Sequence, residues 1–250
     1  MLRPRCAVGF GASALSWVWS ASMGEMITFP SNGSEAQGYL ALPPSGTGPG
    51  VVVIQEWWGL VAHIKDVCDR FAAAGFVALA PDLYQGTQLS VTEPDEAGKE
   101  MMALQLDRAA RDMSGAVDEV KRRSSGDKVG VVGFCMGGGL ALVLATQRPD
   151  AVDACVPFYG LIPWPEAQPD YSKLSGAVLV HVAGNDEYFS PEAAGALEEQ
   201  LRGLGKDVEV HVYDGADHAF FNDTRPEVYN AAASELAWDR TVSFLHSRLG

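Results

Sequence analysis

The sequence predicts an α/β fold in which helices cover both faces of a mostly parallel central sheet. Short apolar segments alternate along the chain with longer segments of helical periodicity, the order expected for such a sheet. Glycine and proline mark the boundaries between these segments. The 250 residues are 47% hydrophobic and 20% charged, which is typical of a folded globular protein rather than a disordered one.

The first half of the chain predicts a hairpin, two buried strands and two helices. The hairpin pairs residues 26–29 with residues 37–42 around a turn at residues 31–33. Residues 51–55 form a continuous apolar run, which is typical of a strand covered on both faces. The elements that follow are a helix over 61–74, a strand over 76–80, a loop over 82–95 and one long amphipathic helix over 96–123.

The second half predicts four further strands and three helices. The strands are predicted over 128–133, 152–158, 177–183 and 208–213, and the helices over 136–147, 191–204 and 226–249. An excursion with three prolines occupies residues 162–170. Because strands and helices alternate, we expect residues 23–250 to form one α/β domain with a mostly parallel sheet.

Residues 1–22 are expected to contribute nothing to the fold. Two arginines precede an uncharged stretch over residues 6–24, and small residues at 20–22 offer a cleavage site, as in a signal peptide. The stretch is a poor membrane span, because it is short and rich in glycine and serine. The alternative is a start placed too far upstream, with Met23 or Met26 as the true start. We expect a cytoplasmic protein; the alternative is an exported one, if residues 1–22 are a real signal peptide.

Charge and cysteine content narrow the classes of partner. The net charge is −14 and the pI about 4.7, whereas a nucleic-acid groove needs clustered lysine and arginine. None of the four cysteines has metal-ligand spacing, and no C-x-x-C occurs. We therefore expect no metal, no cofactor, no nucleic-acid partner and no membrane partner. The protein is expected to act as a monomer or small homo-oligomer on a small molecule, in a reducing compartment.

The most informative motif is Gly133-x-Cys135-x-Gly137, which lies between an apolar strand and a helix. It matches the G-x-S-x-G nucleophile elbow with sulfur in place of oxygen. Such a turn leaves no room for side chains at the flanking positions, and it lifts the central residue above the sheet. The following helix N-terminus favours negative charge, so it would stabilise a thiolate and an oxyanion. The alternative is a buried cysteine in a glycine-rich turn.

A thiol nucleophile needs a base, and the base needs an orienting acid. In hydrolases with this elbow the three follow in the order nucleophile, acid, histidine. Asp186 follows the penultimate predicted strand and His218 follows the last one, so both places are filled. Asp214 and Asp217 are rival acids, although they lie close to His218 along the chain and on the wrong strand. The alternative is an ordinary turn aspartate and loop histidine.

Glu56 and Trp57 follow the first long buried strand, where a second oxyanion-hole amide is expected. The oxyanion hole would then consist of the backbone amides of Met136 and Trp57. A carboxylate at a buried strand end is costly unless it is paired, and open α/β sheets bind ligands at these ends. We therefore expect Glu56 to face the site and to control the protonation of Cys135. The alternative is a side chain that turns outward into solvent.

Together these motifs resemble the dienelactone hydrolase (carboxymethylenebutenolidase) family of the α/β-hydrolase superfamily. The matching segments are residues 55–59, 80–84, 133–139, 184–186 and 217–220, and the resemblance extends over about residues 24 to 248. It implies an α/β-hydrolase fold and a triad of Cys135, Asp186 and His218. It also implies that Glu56 holds the resting thiol, swings away on substrate binding and leaves a thiolate that attacks the lactone carbonyl.

The chain departs from the family pattern at the residues that bind the substrate. The best-known members bind a substrate carboxylate with two arginines, and the corresponding places here hold Gly86 and Asn222. Arg225 is the one nearby cation. The candidate substrate-binding residues are Arg225 and the aromatic residues Trp57, Tyr84, Tyr188 and Phe220. A neutral lactone or aryl ester is therefore expected in preference to a dienelactone carboxylate.

The expected function is hydrolysis of a small lactone or ester through a cysteine triad. One alternative is a redox or ligand-binding module that uses Cys135 as a sensor thiol without turnover. Another is an inactive hydrolase fold that serves as an interaction protein. Neither alternative gives a reason for the positions of Asp186 and His218.

Overall fold

The computed structural model describes residues 24–160 and 162–250. The predicted extension over residues 1–22, with the candidate start at Met23, lies outside these residues. Within the described ranges, no helix has the length and apolar character needed to cross a membrane.

The described residues form eight strands, six α-helices and two short 3₁₀ helices. The strands are β1 (Gly24–Ser31), β2 (Ser34–Ala41), β3 (Gly50–Ile54), β4 (Val77–Pro81), β5 (Val129–Phe134), β6 (Val152–Phe158), β7 (Ala177–Ala183) and β8 (Val208–Tyr213). The α-helices are α1 (Ala62–Ala73), α2 (Pro94–Met102), α3 (Leu106–Arg123), α4 (Met136–Gln147), α5 (Pro191–Gly203) and α6 (Ala231–Leu249). The 3₁₀ helices, Pro165–Ala167 and Tyr171–Lys173, lie in the predicted excursion and just after it.

All eight strands belong to one sheet with the order β1-β2-β4-β3-β5-β6-β7-β8. β1 and β2 form the predicted hairpin, and Asn32 and Gly33 make its turn with positive φ angles of 41° and 99°. β2 is also antiparallel to β4, and every other neighbouring pair is parallel. The predicted mostly parallel α/β sheet is therefore confirmed.

Helices cover both faces of the sheet, as predicted. α3, α4 and α5 pack on one face, and α1 and α6 pack on the other. β5 shows how a fully buried strand serves both cores, because alternate side chains point to opposite faces. Val129 and Val131 join the first core, whereas Val132 and Phe134 join the second.

The prediction of one long helix over residues 96–123 is wrong, because α2 and α3 are separate helices. Gln105 lies between them in an extended conformation with φ −76° and ψ 93°. Met101 and Leu104 nevertheless both pack on the core, so the apolar spacing continues across the break. Periodicity alone therefore could not locate it.

The prediction that the last helix begins at Pro226 is also wrong. α6 begins at Ala231, and the side chain of Asn230 caps it by accepting a hydrogen bond from the Ala233 amide at 3.1 Å. The Val228 amide instead closes a turn onto the carbonyl of Arg225. An asparagine cap satisfies a free helix amide, which favours the later start.

Candidate active site

Cys135 lies in the turn between β5 and α4, with φ 55° and ψ −120°. A positive φ is uncommon for a residue with a Cβ and often marks a functional turn. A Cβ on Gly133 would overlap the carbonyl of Gly137, and a Cβ on Gly137 would overlap the carbonyls of Ile54 and Gln55. Both glycines of the predicted elbow are therefore required by close backbone approach.

The three described cysteines differ in their surroundings. Cys68 and Cys155 are buried, and burial raises the pKa of both thiols. Cys135 is partly exposed at the N-terminus of α4. Because the thiolate is the nucleophilic form, Cys135 is the best placed of the three for covalent chemistry.

Asp186 and His218 meet at the carboxyl ends of β7 and β8. His218 Nδ1 lies 2.7 Å from Asp186 Oδ2, while Asp186 Oδ1 accepts hydrogen bonds from the Tyr188 and Phe189 amides at 2.8 and 3.0 Å. An ionised carboxylate can only accept, so this contact places a proton on Nδ1 and turns Nε2 away from the acid. The two backbone donors fix the buried carboxylate in position.

Among the described residues, no hydrogen bond or ion pair joins the side chain of Asp214 or Asp217 to His218. Asp217 Oδ1 accepts a hydrogen bond from Asn185 Nδ2 at 3.0 Å, which ties together the loops after β7 and β8. Asp214 is exposed in the turn after β8. The geometry therefore favours Asp186 as the partner of the histidine.

The surroundings of His218 favour its charged form. Burial lowers the pKa of this histidine, but the hydrogen bond to Asp186 and the interactions with the Cys135 sulfur outweigh burial and raise the pKa to about 10. These interactions therefore favour the protonated ring. A cationic ring attracts a neighbouring negative charge.

Two backbone amides at the carboxyl ends of β3 and β5 are candidates for an oxyanion hole. Met136 is the first residue of α4, so its N–H has no acceptor within the helix, and Trp57 lies in the turn after β3. Within the described ranges, neither amide donates a hydrogen bond to another residue. β3 and β5 are parallel neighbours, so their carboxyl ends lie at the same edge of the sheet. The arrangement suits the binding of an oxyanion.

Glu56 is buried with 1% of its surface exposed, which is contrary to the alternative of a solvated side chain. Its Oε2 accepts a hydrogen bond from Asn222 Nδ2 at 2.7 Å, and its Oε1 has no hydrogen-bond partner among the described residues. No hydrogen bond of the described residues joins Glu56 to Cys135. Oε2 is thus occupied by the Asn222 amide, and the hold of Glu56 on the resting thiol that the resemblance implies stays a prediction.

Tyr159 is a site residue that sequence reasoning missed. It follows β6 with a positive φ of 39°, and its ring centroid lies 5.0 Å from that of His218. Burial raises the pKa of its hydroxyl, and the charges of Glu56 and Cys135 raise it further. Its place directly after a buried strand was the available signal, because ligands bind at strand carboxyl ends.

The predicted substrate-binding residues differ in how exposed they are and in which side chains they contact. Tyr188 is 67% exposed, and its ring packs edge-on against His218 with centroids 5.2 Å apart. Tyr84 is buried, with its hydroxyl 3.5 Å from the sulfur of Met136. Trp57 is half-buried and packs edge-on against Trp58. Tyr188 therefore lies next to His218, and Tyr84 lies next to Met136, the residue after Cys135.

The assignment of Phe220 to the substrate pocket is wrong. Phe220 is 0% exposed, and its ring packs against Tyr159, Tyr213 and Phe158. Ala219 has a φ of 67°, so the backbone turns sharply just before it. The side chain is part of the apolar core beneath the histidine loop.

Arg225 is half-buried near the site. Its Nε donates to Glu227 at 2.9 Å, and its guanidinium lies 5.8 Å from the centre of the Trp58 ring. Its charge is thus already paired. Among the described residues, no cluster of three or more His, Cys, Asp or Glu side chains could hold a metal ion.

Known proteins are similar to this chain in both sequence and fold. The sequence profile of the "Dienelactone hydrolase family" matches residues 36–249. "Protein usf" of Aquifex pyrophilus is 41% identical over 236 residues, covering 91% of this chain and all of the relative. A protein of Aquifex aeolicus named "Putative carboxymethylenebutenolidase" is 37% identical over 235 residues, again covering 91% of this chain and all of the relative.

A solved structure from Klebsiella pneumoniae, titled "Putative Dienelactone Hydrolase", superposes with a TM-score of 0.80 at 26% identity. The superposition covers 91% of this chain and 99% of the Klebsiella chain. The chain therefore belongs to the dienelactone hydrolase family, with an α/β-hydrolase fold, and is a hydrolase of the carboxylic ester and lactone class.

Proposed function

We propose that the protein hydrolyses a small neutral lactone or ester, with Cys135 as nucleophile, His218 as acid and base, and Asp186 as the orienting acid. One observation carries the proposal. A partly exposed thiol on a strained turn lies beside a histidine whose Nδ1 binds a buried carboxylate. Such an arrangement activates a nucleophile and holds the base in one tautomer.

The first half of the reaction forms a thioester. The Cys135 thiolate attacks the carbonyl carbon, and the carbonyl electron pair moves onto oxygen, where the amides of Met136 and Trp57 stabilise it. The intermediate then collapses, and the bond between the carbonyl carbon and the leaving oxygen breaks. His218 gives its proton to that oxygen, which leaves as an alcohol or stays attached when the substrate is a lactone.

The second half releases the acid. His218, now neutral, takes a proton from water as the water oxygen attacks the thioester carbonyl. The second tetrahedral intermediate expels the Cys135 thiolate, and the imidazolium is restored. Each cycle therefore consumes one water molecule and needs no redox partner or metal.

A covalent acyl-enzyme is the direct test of this proposal. When the protein is mixed with a slow aryl ester and quenched, mass spectrometry should find the acyl group on the peptide that contains Cys135. A burst of the phenol product, equal to the enzyme concentration, should precede the steady state. Turnover without an acylated Cys135 peptide, including under rapid quenching, would count against the cysteine mechanism.

Glu56 is proposed to control the proton on Cys135. A carboxylate near the sulfur disfavours the thiolate by charge repulsion, whereas a move toward the thiol proton would permit it. The burial of Glu56 and its effect on the neighbouring Tyr159 hydroxyl support its presence in the site.

Glu56→Gln is expected to shift the pH dependence of Cys135 alkylation toward lower pH by about one unit, because a nearby like charge is removed. The rate of ester turnover should change as well. Iodoacetamide labelling across a pH series, read on the Cys135 peptide, measures the shift. Superimposable profiles for wild type and Glu56→Gln would show that this carboxylate does not influence the thiol.

We propose that the site disfavours substrates that carry a free carboxylate. The net charge is −14, the two arginine places hold Gly86 and Asn222, and Arg225 is engaged by Glu227 and Trp58. A carboxylate substrate would therefore enter without a bidentate partner. The exposed Tyr188 and the neighbouring aromatic residues favour neutral apolar or aromatic groups.

A neutral lactone or aryl ester is expected to have a kcat/KM about tenfold or more above that of a dienelactone carboxylate, because a missing charged hydrogen bond costs about 1.5–3 kcal/mol. Arg225→Ala should change this ratio little. Steady-state kinetics with matched neutral and anionic substrates measure it. A strong preference for the carboxylate that disappears in Arg225→Ala would restore the dienelactone assignment.

A further inference from the structure

His181 is a buried histidine that the proposed reaction does not use. It lies in β7 and is 0% exposed. Its Nε2 is 2.9 Å from the hydroxyl oxygen of Thr241, and its Nδ1 is 2.7 Å from the hydroxyl oxygen of Tyr213. Tyr213 is the last residue of β8, and Thr241 lies in α6. One imidazole ring therefore joins β7 to the neighbouring strand and to a helix.

The hydrogen bonds of Thr241 fix the tautomer of this ring. The Thr241 hydroxyl donates its only proton to the backbone carbonyl one turn earlier in α6, at 2.8 Å, so its oxygen can only accept from His181. Burial and the positive charges of His211 and Arg240 lower the pKa of His181, which favours the neutral ring. Nε2 of this ring therefore carries the proton, and Nδ1 accepts a hydrogen bond from the Tyr213 hydroxyl.

Tyr213 connects this ring to the loops of the proposed triad. Its backbone carbonyl accepts hydrogen bonds from the Gly184 amide at 2.9 Å and from the Ala216 amide at 3.1 Å. Gly184 lies two residues before Asp186, and Ala216 lies two residues before His218. One carbonyl therefore anchors the start of both loops, which bring a carboxylate and an imidazole to 2.7 Å from each other.

A second connection runs through the backbone of His181. Its carbonyl accepts a hydrogen bond from the Tyr159 amide at 2.7 Å, and the ring of Tyr159 lies 5.0 Å from that of His218. The ring of Tyr213 lies 5.0 Å from that of Phe220, which follows His218 by two residues. His181 and its hydrogen-bond partner therefore contact residues that lie next to His218 in space or along the chain.

We propose that His181 is a positioning residue for the pair formed by Asp186 and His218. As a neutral acceptor for the Tyr213 hydroxyl, it sets how the carboxyl ends of β7 and β8 lie against each other. The inference rests on the proposed function, because it takes Asp186 as the acid that orients His218. Replacing a purely structural histidine would lower stability alone. Replacing a positioning residue also lowers kcat, since small displacements of reacting groups slow catalysis.

Two substitutions of His181 separate its hydrogen bonds, because an amide can replace one ring nitrogen at a time. The carbonyl oxygen in His181→Asn can stand in for Nδ1 and accept from Tyr213, whereas the amino group in His181→Gln can stand in for Nε2 and donate to Thr241. For a neutral aryl ester, His181→Gln and Tyr213→Phe should each lower kcat by about tenfold or more, with KM little changed. His181→Asn should retain most of the wild-type kcat.

Titration of the His218 ring, followed by NMR in full-length protein, reports on the contact with Asp186 independently of turnover. His218→Gln identifies the ring signal by its loss. The hydrogen bond to Asp186 raises the pKa of His218. His181→Gln and Tyr213→Phe should therefore lower this pKa by about half a unit or more. The double variant should add little to either single variant, which is the signature of two groups that act through one contact.

Ser31→Ala is the matched control, because it also removes a buried hydrogen bond, to Asp112, but at the opposite edge of the sheet. It should lower the melting temperature and leave kcat and the pKa of His218 unchanged. Wild-type values of kcat and of this pKa in His181→Gln and Tyr213→Phe would overturn the positioning role. Equal losses in His181→Asn and His181→Gln would overturn it too, because the contact with Tyr213 would then not matter. Failure of the proposed function appears separately, as wild-type turnover in Cys135→Ala.

Discussion

Cys135→Ala is expected to lower kcat/KM for a neutral aryl ester by about 10⁴-fold or more, because the nucleophile is lost and only binding and the oxyanion amides remain. The fold should persist. Alanine is smaller than cysteine, and the turn is held by close backbone approach at Gly133 and Gly137 rather than by the thiol. Steady-state kinetics measure the loss, and circular dichroism with thermal melting checks the fold.

Two other cysteine variants make the result specific. Cys155→Ala removes a buried thiol in β6 and should keep near wild-type turnover, although the small cavity lowers stability. Cys135→Ser should retain little activity, since an alkoxide is far harder to form than a thiolate. Most of the wild-type turnover in Cys135→Ala would refute the nucleophile assignment.

Replacement of His218 is expected to lower kcat by several orders of magnitude, about 10³-fold or more, because both proton transfers pass through this ring. His218→Gln also removes the cation that stabilises the thiolate, so labelling of Cys135 at neutral pH should slow. Turnover and iodoacetamide labelling of the same preparation measure the two effects. Near-normal values of both would place the base elsewhere.

Asp186→Asn is expected to cost less than loss of His218 but still about 10²-fold or more in kcat, because an amide permits the wrong histidine tautomer. Asp217→Asn is the matched control on the neighbouring loop, where Asp217 binds Asn185 rather than His218. It should stay near wild type. A larger loss in Asp217→Asn than in Asp186→Asn would reverse the assignment of the orienting acid.

Much of the site could be predicted because its signals are local or ordered along the chain. Two glycines around Cys135 specify a tight turn within five residues. Asp186 and His218 each follow a buried strand, and parallel strands deliver their carboxyl ends to one edge of the sheet. The elbow geometry and the contact between Asp186 and His218 both follow from these patterns.

Other features depend on contacts between distant segments. Phe220 is an apolar residue two positions after His218, and only its packing against Tyr159 and Tyr213 shows that it belongs to the core. The break before α3 preserves the apolar spacing, so no periodicity marks it. The start of α6 at Ala231 follows the Asn230 cap, and the preceding residues 225–228 form a separate turn.

By itself, the amino-acid order determined the α/β alternation, the cysteine elbow and the placement of Asp186 and His218 after buried strands, because these depend on turn sterics and strand polarity. Only the tertiary structure decided the partner of Glu56. Asn222 lies 166 residues away along the chain. Whether a buried carboxylate meets a thiol, an amide or water depends on the packing of the loop that faces it. No local pattern in the sequence predicts this contact between two residues that are far apart along the chain.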